Sequence, residues 1–75
     1  MTASAGVVLF YTTSAAIRAE KVLLKNGLEV QLIPTPRELS SDCGIALRFD
    51  WGKAESVSAL LAAAGVEIAG MHPVG

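Results

Sequence analysis

The sequence predicts an α+β domain of two layers, with its elements in the order β-α-β-β-α-β. Three observations predict it. Four short runs are continuously apolar or alternate with a strand's period of two. Two intervening segments carry apolar residues at helical spacing. A glycine, Gly27 or Gly65, stands just past the end of each helical segment. With 75 residues the chain has room for one domain and a small core.

The first strand covers residues 7–12, where Val7-Val8-Leu9-Phe10-Tyr11 is apolar at every position. Such a run fits a central strand covered on both faces. Thr13 or Ser14 is expected to cap the helix that follows, which runs to Lys25 with Ala16, Ala19, Val22 and Leu23 on one stripe. Asn26-Gly27 closes it, Gly27 taking the left-handed conformation past the last turn. Residues 28–33 alternate, with Leu28, Val30 and Leu32 on one face, and stop at Pro34. Residues 44–49 alternate as well, with Ile45, Leu47 and Phe49 inward and Arg48 outward. Asp50 is a natural cap for the second helix, whose Val57, Leu60, Leu61 and Ala64 fall at i, i+3, i+4 and i+7. Trp51 beside it reads as a partly buried anchor. Gly65 ends this helix, and residues 66–71 form a last alternating strand. The reading assigns residues 1–6 to a flexible leader, 7–71 to a single domain and 72–75 to a tail.

This order is the ferredoxin-like arrangement: a four-stranded antiparallel sheet with both helices on one face. The other face is expected to be open and solvated, showing Glu29, Gln31, Ala46, Arg48, Glu67 and Ala69. The arrangement hosts many unrelated activities, so function has to be read from a site.

Composition removes several function classes. Six Lys and Arg stand against seven Asp and Glu, for a net charge of −1 and a pI of about 5.6. That balance lacks the basic face of an electrostatic nucleic-acid binder. The third strand also lacks the aromatic platform on which an RNA-binding sheet stacks bases. A single cysteine, Cys43, excludes an internal disulfide and a Cys-x-x-Cys metal site. Gly-rich phosphate loops are absent, so no nucleotide, metal or other cofactor is expected. No apolar run reaches the length of a membrane span, and the first basic residue is Arg18. The expected location is therefore the cytoplasm, where a free cysteine stays a thiol. Asp42, Asp50 and Glu55 show no pairing for acid/base or metal chemistry, and His72, the one histidine, falls in the tail. Arg18, Lys21 and Lys25 form a basic stripe on the first helix, read as a solvated face with docking of an acidic partner as the sharper option.

The least ordinary stretch is residues 34–43, Pro34-Thr35-Pro36-Arg37-Glu38-Leu39-Ser40-Ser41-Asp42-Cys43. Thr35 with Glu38 three residues on is a capping box, and Pro36 suits a first helical position, so one helical turn is expected over residues 36–39. Ser40, Ser41 and Asp42 offer short side chains that bond nearby backbone, and Gly44 leaves the neighbouring thiol open to approach. In this topology the loop shares an end of the sheet with the start of the first helix. If the third strand pairs beside the first, Cys43 falls near Thr12, Thr13 and Ser14. A helix start favours an anion, and a thiolate held there is a better-populated nucleophile. Arg37 would add to that effect and Asp42 would oppose it. A lone cysteine at a strand start also serves as a small buried hydrophobe, and both readings stay open on the residues alone.

The run from Ile33 through Pro34-Thr35-Pro36-Arg37-Glu38-Leu39-Ser40-Ser41-Asp42-Cys43-Gly44 to Arg48 resembles the signature of the selenium/sulfur carrier-like proteins. The resemblance extends to Phe10-Tyr11-Thr12-Thr13, to Ala16 and Glu20 in the following helix, and to Gly27. It implies a free-standing carrier whose Cys43 holds sulfur or selenium as a persulfide or selenyl-sulfide, passed between donor and acceptor proteins. One departure separates it from sulfur-relay carriers with a Cys-Pro pair at a helix start: here Cys43 is followed by Gly44. The alternative is a non-enzymatic regulatory module that binds a small anion at the same loop, with Cys43 as packing. A sheet with one open face leaves room for a homodimer under either reading.

Overall fold

The computed structural model describes residues 4–39 and 44–74. Its elements are β1 (Ala5–Leu9), α1 (Thr13–Lys25), β2 (Val30–Pro34), β3 (Ile45–Asp50), a one-turn 3₁₀ helix (Trp51–Lys53), α2 (Ala54–Ala63) and β4 (Gly70–Val74). The four strands form one sheet in the order β2-β3-β1-β4, every pairing antiparallel. This is the ferredoxin-like β-α-β-β-α-β arrangement that the sequence predicts. β1 lies in the middle of the sheet, as its unbroken apolar run requires: Val7, Val8 and Leu9 are all buried.

Both helices cover one face. The core there joins Val8 and Phe10 of the first strand region to Leu47 and Phe49 of β3. Against these pack Ala16, Ala19 and Leu23 of α1, and Val57 and Leu61 of α2. These are the inward positions of the expected stripes. Trp51 is half-buried and packs against the core, its ring 5.9 Å from that of Phe49. Gly6 permits this stack, since a Cβ there would come within 2.5 Å of Trp51 Cε3.

Several boundaries differ from the sequence reading, each for a physical reason. Thr12, not Thr13 or Ser14, caps α1: its Oγ1 accepts from the Ala15 amide at 3.1 Å. Ala5 and Gly6, assigned to the leader, already belong to β1. Asp50 caps as expected, its Oδ1 accepting from the Gly52 amide at 3.1 Å, but it opens the 3₁₀ turn that precedes α2. At the helix ends, Gly27 and Gly65 have φ of +81° and +73°. After each glycine the next residue turns its amide back onto the helix, Leu28 onto the Leu23 carbonyl and Val66 onto the Leu61 carbonyl. These are Schellman closures, and they engage the very N–H groups a strand would need. β2 therefore starts at Val30 and β4 at Gly70, later than their alternating patterns suggest.

β4 then continues through His72, Pro73 and Val74, which pair with Val7, Gly6 and Ala5 and are not a tail. Pro73 is tolerated because β4 is an edge strand, where one side of the backbone has no partner to lose. The face away from the helices is correspondingly revised. Gln31 and Arg48 are exposed there, and Glu29 just before β2 is exposed too, while Ala46 is fully buried beside Val7 and Leu9. Glu67 and Ala69 lie in the connection before β4, and Gly70, His72 and Val74 take the outer strand.

Candidate functional site

β2 and β3 form a hairpin whose connection carries the cysteine. Its base is pinned by a bond from the Thr35 amide to the Gly44 carbonyl, 3.1 Å long. Inside it, the Leu39 amide donates to the Pro36 carbonyl at 3.0 Å, which makes residues 36–39 a single hydrogen-bonded turn where the capping-box spacing placed one. Arg37 and Glu38 are exposed on that turn. Ser40, Ser41, Asp42 and Cys43 lie outside the described residues.

The register fixes which end of the sheet this hairpin occupies. β3 pairs directly with β1, Leu9 standing opposite Ala46, and with β2, Pro34 standing opposite Ile45. Gly44 thus immediately precedes β3 at the end of the sheet where β1 ends, from which Phe10 and Tyr11 lead to the cap of α1. Thr12, Thr13 and Ser14 are exposed at that helix start, and its first turn carries no acidic residue. The positive end of the helix dipole there meets no competing carboxylate in the first turn of the helix itself. Tyr11 is 53% exposed next to it. The residues brought to this end are Thr12, Thr13, Ser14, Arg37 and Gly44.

Within the basic stripe of α1, Arg18 has a partner on α2. Arg18 Nη2 donates to the Ala64 carbonyl at the C-terminus of α2, 2.9 Å away. A cation there satisfies an orphan carbonyl and the negative end of the helix dipole. Sequence spacing pairs Arg18 with Lys21 and Lys25, whereas its partner is 46 residues distant along the chain.

Two clefts lie at the opposite end of the sheet, each about 350 Å³. One gathers Glu29, Gln31, Arg48 and Asp50 with Ser4 and Ala5, and the other adds Lys53 and Val57 to Glu29 and Asp50. No sequence motif pointed to them, because their walls come from three separate segments. Among the described residues there is no group of three or more His, Cys, Asp or Glu side chains able to hold a metal ion, and no helix long and apolar enough to cross a membrane.

No curated protein and no solved structure matches the chain. The family described as Putative Se/S carrier protein-like does match, over residues 5–73, from the first residue of β1 into β4, and the chain belongs to that family.

Proposed function

We propose that the protein carries a sulfur or selenium atom on Cys43, accepting it from a donor protein and handing it to an acceptor. The observation that carries this reading is membership of a carrier family along nearly the whole chain. In the sulfur case the Cys43 thiolate attacks the outer sulfur of a donor persulfide. The donor's S–S bond breaks, an S–S bond to Cys43 forms, and the donor leaves as a thiolate. No net oxidation is involved. Delivery repeats the exchange with the acceptor as nucleophile. Thr12, Thr13, Ser14 and the amides that open α1 would stabilise the thiolate, with Ser40, Ser41, Asp42 and Gly44 shaping the loop and Arg37 attracting anionic groups. The reducing cytoplasm suits such a thiol.

Incubation with a cysteine desulfurase and cysteine, followed by mass spectrometry, tests it. Wild type is expected to gain the mass of one sulfur atom and Cys43→Ser to gain none. A wild-type protein that stays unmodified, while a known carrier is loaded alongside, overturns the reading. The rate of thiol alkylation against pH gives a second check. A midpoint well below the reference of ~8.5 is expected.

A further inference from the structure

We infer that the cleft at the far end of the sheet, walled by Glu29, Gln31, Arg48 and Asp50, binds a small zwitterion of the α-amino-acid class. The cleft holds about 350 Å³, within the size range of small-molecule sites. Ser4 and Ala5, with short side chains, complete its lining.

The register sets the charges. Gln31 stands directly opposite Arg48, and Val30 opposite Phe49, which brings Glu29 level with Asp50 one step further along. Strands are ~4.8 Å apart and same-face neighbours along a strand about 7 Å apart. The Arg48 guanidinium is therefore rooted one such step from Asp50 and one diagonal, roughly 7–8 Å, from Glu29.

Opposite charges so placed ordinarily pair with each other. Here neither the Glu29 carboxylate nor the Arg48 guanidinium has an ion-pair or hydrogen-bond partner among the described residues, and the Asp50 carboxylate uses only Oδ1, on the Gly52 amide. Two carboxylates and one guanidinium are thus left facing a common space. A guanidinium takes a carboxylate in a two-pronged bond, and carboxylates take an ammonium. A simple anion would meet the repulsion of Glu29 and Asp50. A metal ion would lack a third ligand, since no such cluster exists among the described residues. A ligand bearing both charges a few ångströms apart satisfies both halves of the cleft.

Amide chemical shifts of the isotopically labelled full chain test this, with L-alanine as the probe. Propionate and ethylamine, each carrying one of its two charges, serve as comparisons. Saturable shifts at Ala5, Val30, Gln31, Arg48 and Phe49 are expected with L-alanine at millimolar concentration. Binding by either single-charge compound should be at least about tenfold weaker, the effect of losing one charge-assisted hydrogen bond. Arg48→Gln and Glu29→Gln, both at exposed positions, should each weaken L-alanine binding similarly, while Lys21→Ala on α1 leaves it unchanged. Absence of saturable shifts, equal binding of the single-charge compounds, or unaltered binding by folded Arg48→Gln protein each overturns the inference. Cys43→Ser protein should bind as wild type does, so the outcome is independent of sulfur loading.

Discussion

Gly6 and Gly27 are required for different physical reasons, and substitution separates them. At Gly27 a Cβ would meet nothing within 4 Å, so the only obstacle to alanine is φ of +81°. Gly27→Ala should cost about 1–2 kcal/mol, the penalty of a left-handed residue with a side chain, read from urea unfolding. At Gly6 a Cβ would press into Phe49 Cζ at 2.8 Å as well as Trp51. Gly6→Ala should cost about 1–3 kcal/mol as overpacking and alter tryptophan fluorescence, which Gly27→Ala leaves unchanged. The role of Gly27 is legible in the sequence, since Asn-Gly after a helical stripe is a local stop signal. The role of Gly6 is not, because the rings that exclude a side chain arrive from 43 and 45 positions away, at Phe49 and Trp51.

Each helix is fixed by its two ends and by one apolar stripe, and the ends are open to test. Thr12→Ala removes the acceptor for the Ala15 amide and should cost about 1 kcal/mol, with Thr12→Ser restoring most of it. If the start of α1 also stabilises the Cys43 thiolate, Thr12→Ala should raise the alkylation midpoint of that thiol. Arg18→Ala should cost about 0.5–1.5 kcal/mol through the lost bond to the Ala64 carbonyl, whereas Lys25→Ala should change stability less. The strands were harder to bound from sequence than the helices. Leu28 and Val66 fit an alternating pattern, yet their amides close α1 and α2. Alternation records which way side chains point and is silent on where backbone N–H groups bond. Val66 shows the distinction well: it is buried in the core without belonging to a strand.

The whole molecule rests on one core under two helices, so the central strands should be the least forgiving place in it. Leu47 is fully buried between β1 and β2, and Leu47→Ala should cost about 2–5 kcal/mol, a large share of the stability of a small domain, and lower its thermal midpoint. Thermal unfolding followed by circular dichroism checks this. The two ends of the sheet should also be separable, with sulfur loading lost in Cys43→Ser and L-alanine binding lost in Arg48→Gln, each variant keeping the other property. The sequence by itself determined the order of the elements, the stops of both helices, the pairing of an apolar central strand with amphipathic helices and the presence of a single thiol. Those features are local: they depend on residue type and on spacings within one turn or one strand. Only the tertiary structure decided the register, which draws His72-Pro73-Val74 into β4 and sets Glu29, Arg48 and Asp50 around one cleft. A period-two pattern is equally satisfied after a slide of two residues, so register is chosen by backbone bonds between distant segments and by the amides that the helix ends engage.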